Sequence, residues 1–117
     1  MTTETHYRSA AAQLLEQARQ ELARGDVRQA SEKSWGAAAQ AVKAVAEGRG
    51  WEHKTHASLF SVVSRLARET GNRELNSLFV TASGLHINFY ENWLTADMVG
   101  PEVEKIAQFV ALMAEVE

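Results

Sequence analysis

Cysteine is absent and proline occurs once, at Pro101. Without thiols the chain has no disulfide, no thiolate metal site and no cysteine nucleophile, a usage that fits a reducing compartment. A lone proline among 117 residues rich in alanine, leucine and valine favours helices over strands. No apolar run is long enough to span a bilayer, and Met1-Thr2-Thr3-Glu4-Thr5-His6 lacks the basic and apolar blocks of a secretory signal. These absences predict a cytoplasmic protein with no membrane partner. Charge of one sign is also scarce: 12 Lys and Arg against 15 Asp and Glu leave a net charge of -3, which argues against a broad non-specific nucleic-acid surface. The local clusters Arg19, Arg24, Arg28 and Arg65, Arg68, Arg73 read as solvated helix faces that retain the means to touch phosphates. The length supports one domain, 1–117, with a modest core.

What is present is helical periodicity. A first helix fits from about Thr5 to Arg24, with Tyr7, Ala11, Leu14, Leu15, Ala18 and Leu22 on one face and Gly25 as its stop. Asp26 caps a second helix, which runs to about Glu47 before Gly48 and Gly50 break it. Its continuous polar strip holds Gln29, Glu32, Lys33, Gly36, Gln40, Lys43 and Glu47, so this helix is expected to be buried on most of its circumference and to sit centrally. Thr55 caps a third helix that turns Leu59, Val62, Val63 and Leu66 inward, and Gly71 ends it. Asn72 caps a fourth helix reaching to about Trp93 or Leu94. Gly100-Pro101 opens a fifth, with Pro101 at its first position. Val103, Ile106, Phe109, Val110, Leu112 and Met113 make that last helix apolar over a wide face, which suggests a second layer or a subunit interface.

Polar chemistry concentrates in the fourth helix, at Leu85-His86-Ile87-Asn88-Phe89-Tyr90-Glu91. His86 falls inside the apolar stripe of Leu75, Leu78, Phe79, Ala82, Leu85, Phe89 and Trp93, whereas Asn88 and Glu91 point elsewhere. His86 is therefore either a histidine tied into the packing or the inward member of a site between helices. Tyr90 follows it by one turn and shares its face. If their common partner comes from the second helix, the His86/Tyr90 face and the polar strip line one pocket: Lys33 and Lys43 contact an anion, Glu32 orients them, and His86, Asn88, Tyr90 and Glu91 add polar contacts. Asn88 and Glu91 alternatively face a dimer mate. His53 and His56 have helical ligand spacing, but Thr55 as a cap puts His53 outside the helix and two ligands are too few, so no metal is expected. A nucleophile elbow and a phosphate-binding glycine loop are both missing, and no cofactor is implied.

The pattern Gly25-Asp26, Ala30, Glu32-Lys33, Trp35-Gly36-Ala37, then Ala41-Val42-Lys43-Ala44, His53, His56, Leu59 and Leu85-His86, Asn88-Phe89-Tyr90-Glu91 resembles the PaREP family of archaeal paralogues. More broadly, the helix lengths, the Gly-Asp turn and the alanine-rich second helix resemble the HEPN superfamily. That resemblance implies a five-helix up-and-down bundle that forms a homodimer. It also implies one of three roles: metal-independent ribonuclease, partner of a minimal nucleotidyltransferase, or subunit binding a nucleotide or other substrate. HEPN ribonucleases share an arginine followed, after about four to six residues, by a histidine that together act on the phosphodiester. The positions that would serve His86 hold Phe79, Val80 and Thr81; Arg49 and His56 meet the spacing, but across the loop into the third helix. The expectation is accordingly a non-catalytic binding or adaptor subunit for a nucleotide-handling partner or a small anionic ligand. The competing expectation is an endoribonuclease drawing on Arg49, His56 or His86 and acting on RNA.

Overall fold

The computed structural model describes residues 2–116; Met1 and Glu117, the ends of the single expected domain, lie outside the described residues. Among the described residues there are five helices and no strand: α1 (Thr3–Ala23), α2 (Val27–Arg49), α3 (His56–Thr70), α4 (Glu74–Glu91) and α5 (Ala96–Glu115). The all-α expectation holds. None of the helices is long and apolar enough to cross a membrane.

The centre of the fold is α2, which touches each of the other four helices. Between Ala30 and Ala46 every residue off the strip Glu32, Lys33, Gly36, Gln40 and Lys43 is buried, as its pattern predicts. Small residues make this possible. A Cβ at Gly36 would lie 3.2 Å from Leu14 Cδ1, so glycine is what lets α1 pack this close. Around α2 one continuous core gathers Leu59, Val63 and Leu66 of α3, Leu75, Phe79 and Leu85 of α4, and Val103, Ile106 and Phe109 of α5. Burying each such side chain stabilises by about 1.5–3 kcal/mol, and helices this short depend on that packing more than on propensity.

The helix ends explain where the chain turns. Asp26 accepts from the Gln29 N–H at 3.1 Å, and Thr55 with Ser58 forms a reciprocal capping box at 3.0 and 2.9 Å. Gly50 and Gly71 close α2 and α3 in the left-handed conformation, with φ of 71° and 73°.

Several boundaries differ from the sequence expectation. Gly48 does not break α2, which continues to Arg49. The Glu4 carboxyl occupies the space a Cβ at residue 48 would fill, 3.0 Å away. Asn72 acts one residue earlier than a cap: its Oδ1 accepts from the Glu74 N–H at 3.0 Å, while Arg73 holds the cap position without a side-chain bond. The fourth helix stops at Glu91, short of Trp93, because Asn92 turns left-handed at φ 55°. The fifth then starts at Ala96, ahead of Pro101, which lies inside it and removes the backbone bond to Asp97. Starting early buries Val99. Finally, Val110 and Leu112 pack against the core, so the wide face of α5 is largely used within the chain. The exposed large apolar residues lie mostly elsewhere, on α3, α4 and the segment that follows α4, with Met98 in the first turn of α5.

Candidate functional site

A column of rings rises from the core to the surface where α2, α3 and α4 meet. Phe109 and Phe79, both fully buried, stack at 5.5 Å between centroids, and Phe79 lies 5.4 Å from Trp35. The Trp35 indole in turn carries the His86 imidazole, stacked at 5.2 Å with 27° between planes. His56 meets both edge-on, at 5.1 Å from Trp35 and 5.3 Å from His86, and Tyr90 meets His86 edge-on at 5.4 Å. Helical spacing assembles the column. Glu32 and Trp35 lie one turn apart on α2, Phe79, His86 and Tyr90 follow at seven and four residues on α4, and His56 is the first residue of α3.

Glu32 and His86 are joined at 2.7 Å between Oε1 and Nδ1, both partly buried. A carboxylate accepting from Nδ1–H sets the tautomer and leaves Nε2 as the acceptor nitrogen of the neutral ring. The upper end of the column thus presents an oriented imidazole, a second imidazole that is exposed, and a phenol. Beside it stands Arg28, one turn before Glu32 on α2. Its Nε donates to the Phe89 carbonyl at 2.8 Å and its guanidinium lies 5.1 Å from the Phe89 ring, which in turn meets the Tyr90 ring edge-on at 5.0 Å.

The structure brings together some of the residues singled out in the sequence and separates others. Glu32, His86 and Tyr90 share the site, and so does His56, which the sequence associated with Arg49. Lys33 and Lys43 face α1: the Lys33 ammonium is 3.9 Å from Glu21, and that of Lys43 is 6.0 Å from the Tyr7 ring. Adjacent positions on a helix diverge by about 100°, so Lys33 cannot follow Glu32 toward α4. Asn88 does not point away from the core but is fully buried, one turn beyond Leu85. It donates to Ser31 Oγ and accepts from the Trp93 and Leu94 N–H groups, each at 3.0 Å, so its polar groups are spent on the turn after α4. Glu91 is exposed at the end of α4, on the side facing away from the core.

Arg49 is far from His56. It pairs with Glu69, donates to the Val116 carbonyl and lies over Trp51. Glu69 and His56 are at opposite ends of α3, about 20 Å apart at 1.5 Å per residue. His53 pairs with Glu47 at 2.8 Å and packs edge-on against Tyr7, apart from His56. Among the described residues no three His, Asp or Glu side chains gather to hold a metal ion. Sequence reasoning missed Trp35 as the platform and Arg28 as the neighbouring cation. The seven-residue step from Trp35 back to Arg28, with Glu32 between them, was the signal available.

A family model matches residues 6–110. The chain belongs to the archaeal PaREP1/PaREP8 family. The match takes in the whole ring column of this PaREP1/PaREP8 protein, from Arg28 and Glu32 to His86 and Tyr90. A crystal structure of a protein from Sulfolobus solfataricus superposes with a TM-score of 0.81, covering 98% of this chain and 97% of that one at 24% identity; at that identity the likeness speaks for the fold. No curated protein matches the chain.

Proposed function

We propose that this PaREP1/PaREP8 protein is a HEPN-like binding subunit that holds a nucleotide at the head of the ring column and presents it to a nucleotide-handling partner such as a minimal nucleotidyltransferase. One observation carries the reading: His86, oriented by Glu32 and seated on Trp35, faces outward between the rings of His56 and Tyr90. Flat rings with exposed faces and edges suit a nucleobase, which stacks on aromatic surfaces with about 1–3 kcal/mol per base. Arg28, fixed over Phe89, whose ring meets that of Tyr90, supplies the charge that a phosphate requires, in place of Lys33 and Lys43. Within such a complex the His86 Nε2 acts as the acceptor for a base or ribose proton donor.

Calorimetric titration with AMP, GMP, CMP and UMP tests this reading. At least one should bind, with His86→Ala and Arg28→Ala each weakening it by about tenfold or more. Absence of binding by all four, with the protein folded, counts against it.

A second reading, metal-independent endoribonuclease, is favoured by the His56–His86 pair. Two imidazoles 5.3 Å apart between centroids match the need for one base and one acid across a phosphodiester, with Arg28 to stabilise the charge that develops. RNA incubated with the protein in chelator separates the two. Cutting that is lost in folded His56→Ala or His86→Ala establishes the nuclease, and intact RNA beside measurable nucleotide binding leaves the binding subunit.

A further inference from the structure

A groove of about 320 Å³ lies between α4 and α5, closed at one end by the segment that joins them. Leu85, Ile87, Trp93 and Leu94 give it apolar walls, and Glu102 is the one charged residue among those that line it. Gly84 opens it. In mid-helix a glycine destabilises relative to alanine, and no packing within the chain requires this one: a Cβ there would meet no atom within 4 Å. Gly36, by contrast, is explained by the closeness of Leu14. The end wall is held in place, because Asn88 accepts from the backbone N–H groups of both Trp93 and Leu94 at 3.0 Å. Trp93 is nevertheless 65% exposed and Ile87 48%, so the groove offers apolar surface that the chain does not cover.

Glu102 sets the chemistry of an occupant. Its Oε1 pairs at 3.5 Å with Lys105, which is half-exposed, and its Oε2 is buried with no hydrogen-bond partner among the described residues. A carboxylate in that state is stabilised by a donor or a cation brought to it. An ammonium group is both, and it is also attracted to the face of an indole such as that of Trp93. An anion is repelled. A polyamine fits worse than a monoamine, because its second charge would lie against Leu85, Ile87 or Leu94 with no carboxylate to meet it. The volume is at the lower end of the range for small-ligand pockets, about 300–1,000 Å³, which suits a compact molecule with an apolar body and one charged end.

We propose that the groove between α4 and α5 binds a small apolar monoamine, its body against Leu85, Ile87 and Trp93 and its ammonium group at the Glu102 carboxylate. None of the residues of the ring column lines this groove, so the proposal and the nucleotide reading stand or fall separately.

Phenethylamine, phenethyl alcohol and phenylacetate carry the same ring on closely matched chains and differ in the charge of the end group. Titrated calorimetrically into the full chain at neutral pH, the amine should bind, the alcohol should bind at least about tenfold more weakly, and the acid should give no heat of binding. Putrescine should bind more weakly than phenethylamine. Glu102→Gln keeps the shape of the groove and should abolish the preference for the amine over the alcohol. Gly84→Leu fills open space without displacing a neighbour, so it should melt no lower than the wild type and lose both ligands. No binding of phenethylamine at about 10 mM to the folded wild type, equal affinity for amine and alcohol, or a Glu102→Gln variant that still prefers the amine would overturn the proposal. If a second copy or another protein fills the groove instead, phenethylamine finds it closed and the first of these results follows.

Discussion

Glu32 Oε1 and His86 Nδ1 are 2.7 Å apart, joining α2 to α4 across 54 residues of sequence. The bond is charge-assisted on the carboxylate side and is sheltered by the Trp35 ring beneath the imidazole. His86→Ala removes both the bond and the stacked ring, and should destabilise the fold by about 1–2 kcal/mol. Glu32→Gln retains an acceptor oxygen and should cost less than about 1 kcal/mol. Urea unfolding followed by tryptophan fluorescence measures both. Equal losses in the two variants would show that the ring stack contributes little.

Asn88 should be far more sensitive than its neighbours on α4. It is fully buried and satisfies Ser31 and two backbone N–H groups. Asn88→Ala leaves the Trp93 and Leu94 N–H groups without their acceptor, and a loss of about 2–4 kcal/mol is expected. Ser31→Ala removes one bond and should cost about 1 kcal/mol. If Asn88→Ala melts with the wild type, the turn between α4 and α5 is held by something other than this amide.

Pro101 lies inside α5 and withholds one helical hydrogen bond. Pro101→Ala restores the donor but frees the unfolded chain, which offsets part of the gain. The expected net effect is a stabilisation of about 1 kcal/mol, visible as a higher melting temperature. A lower one would mean that the ring packs usefully where it stands.

Arg19 and Glu104 tie α1 to α5 by two bonds of 3.1 and 2.9 Å. The hydrogen bonds from Arg19 hold the Glu104 carboxyl below its ordinary range, against a desolvation effect that raises it. A carboxyl depressed in the folded state contributes stability that is present above its unfolded pKa and is lost as pH falls through the folded one. Arg19→Ala should therefore lower stability at neutral pH and converge with the wild type in acid. Both side chains are largely exposed, so screening limits the difference to at most about 1 kcal/mol, and added salt should shrink it. A difference that persists below the range in which the carboxylate titrates would assign the effect to lost arginine packing.

Helices whose evidence is local were legible from the residues alone. Period and cap agree at Asp26 and Thr55, the stop at Gly71 needs only a left-handed residue, and the buried circumference of α2 follows from a strip repeating every third or fourth residue. None of these depends on a distant partner. Boundaries failed where a distant partner decides them: Asn88 holds the turn after Glu91, and α5 starts ahead of Pro101.

The candidate site divides the same way. Residues a turn apart on one helix, such as His86 with Tyr90, are tied by the 3.6-residue period, and the sequence alone places them together. Contacts between helices depend on rotation and crossing, which only packing settles. Tertiary structure sent Glu32 toward α4 and the adjacent Lys33 toward α1, set His56 beside His86 and left Arg49 at the far end of α3. It also turned Asn88 into the core. An all-helical chain with a central α2 was written in local periodicity, whereas the meeting of Glu32, Trp35, His56 and His86 depended on how three helices bury their apolar faces together.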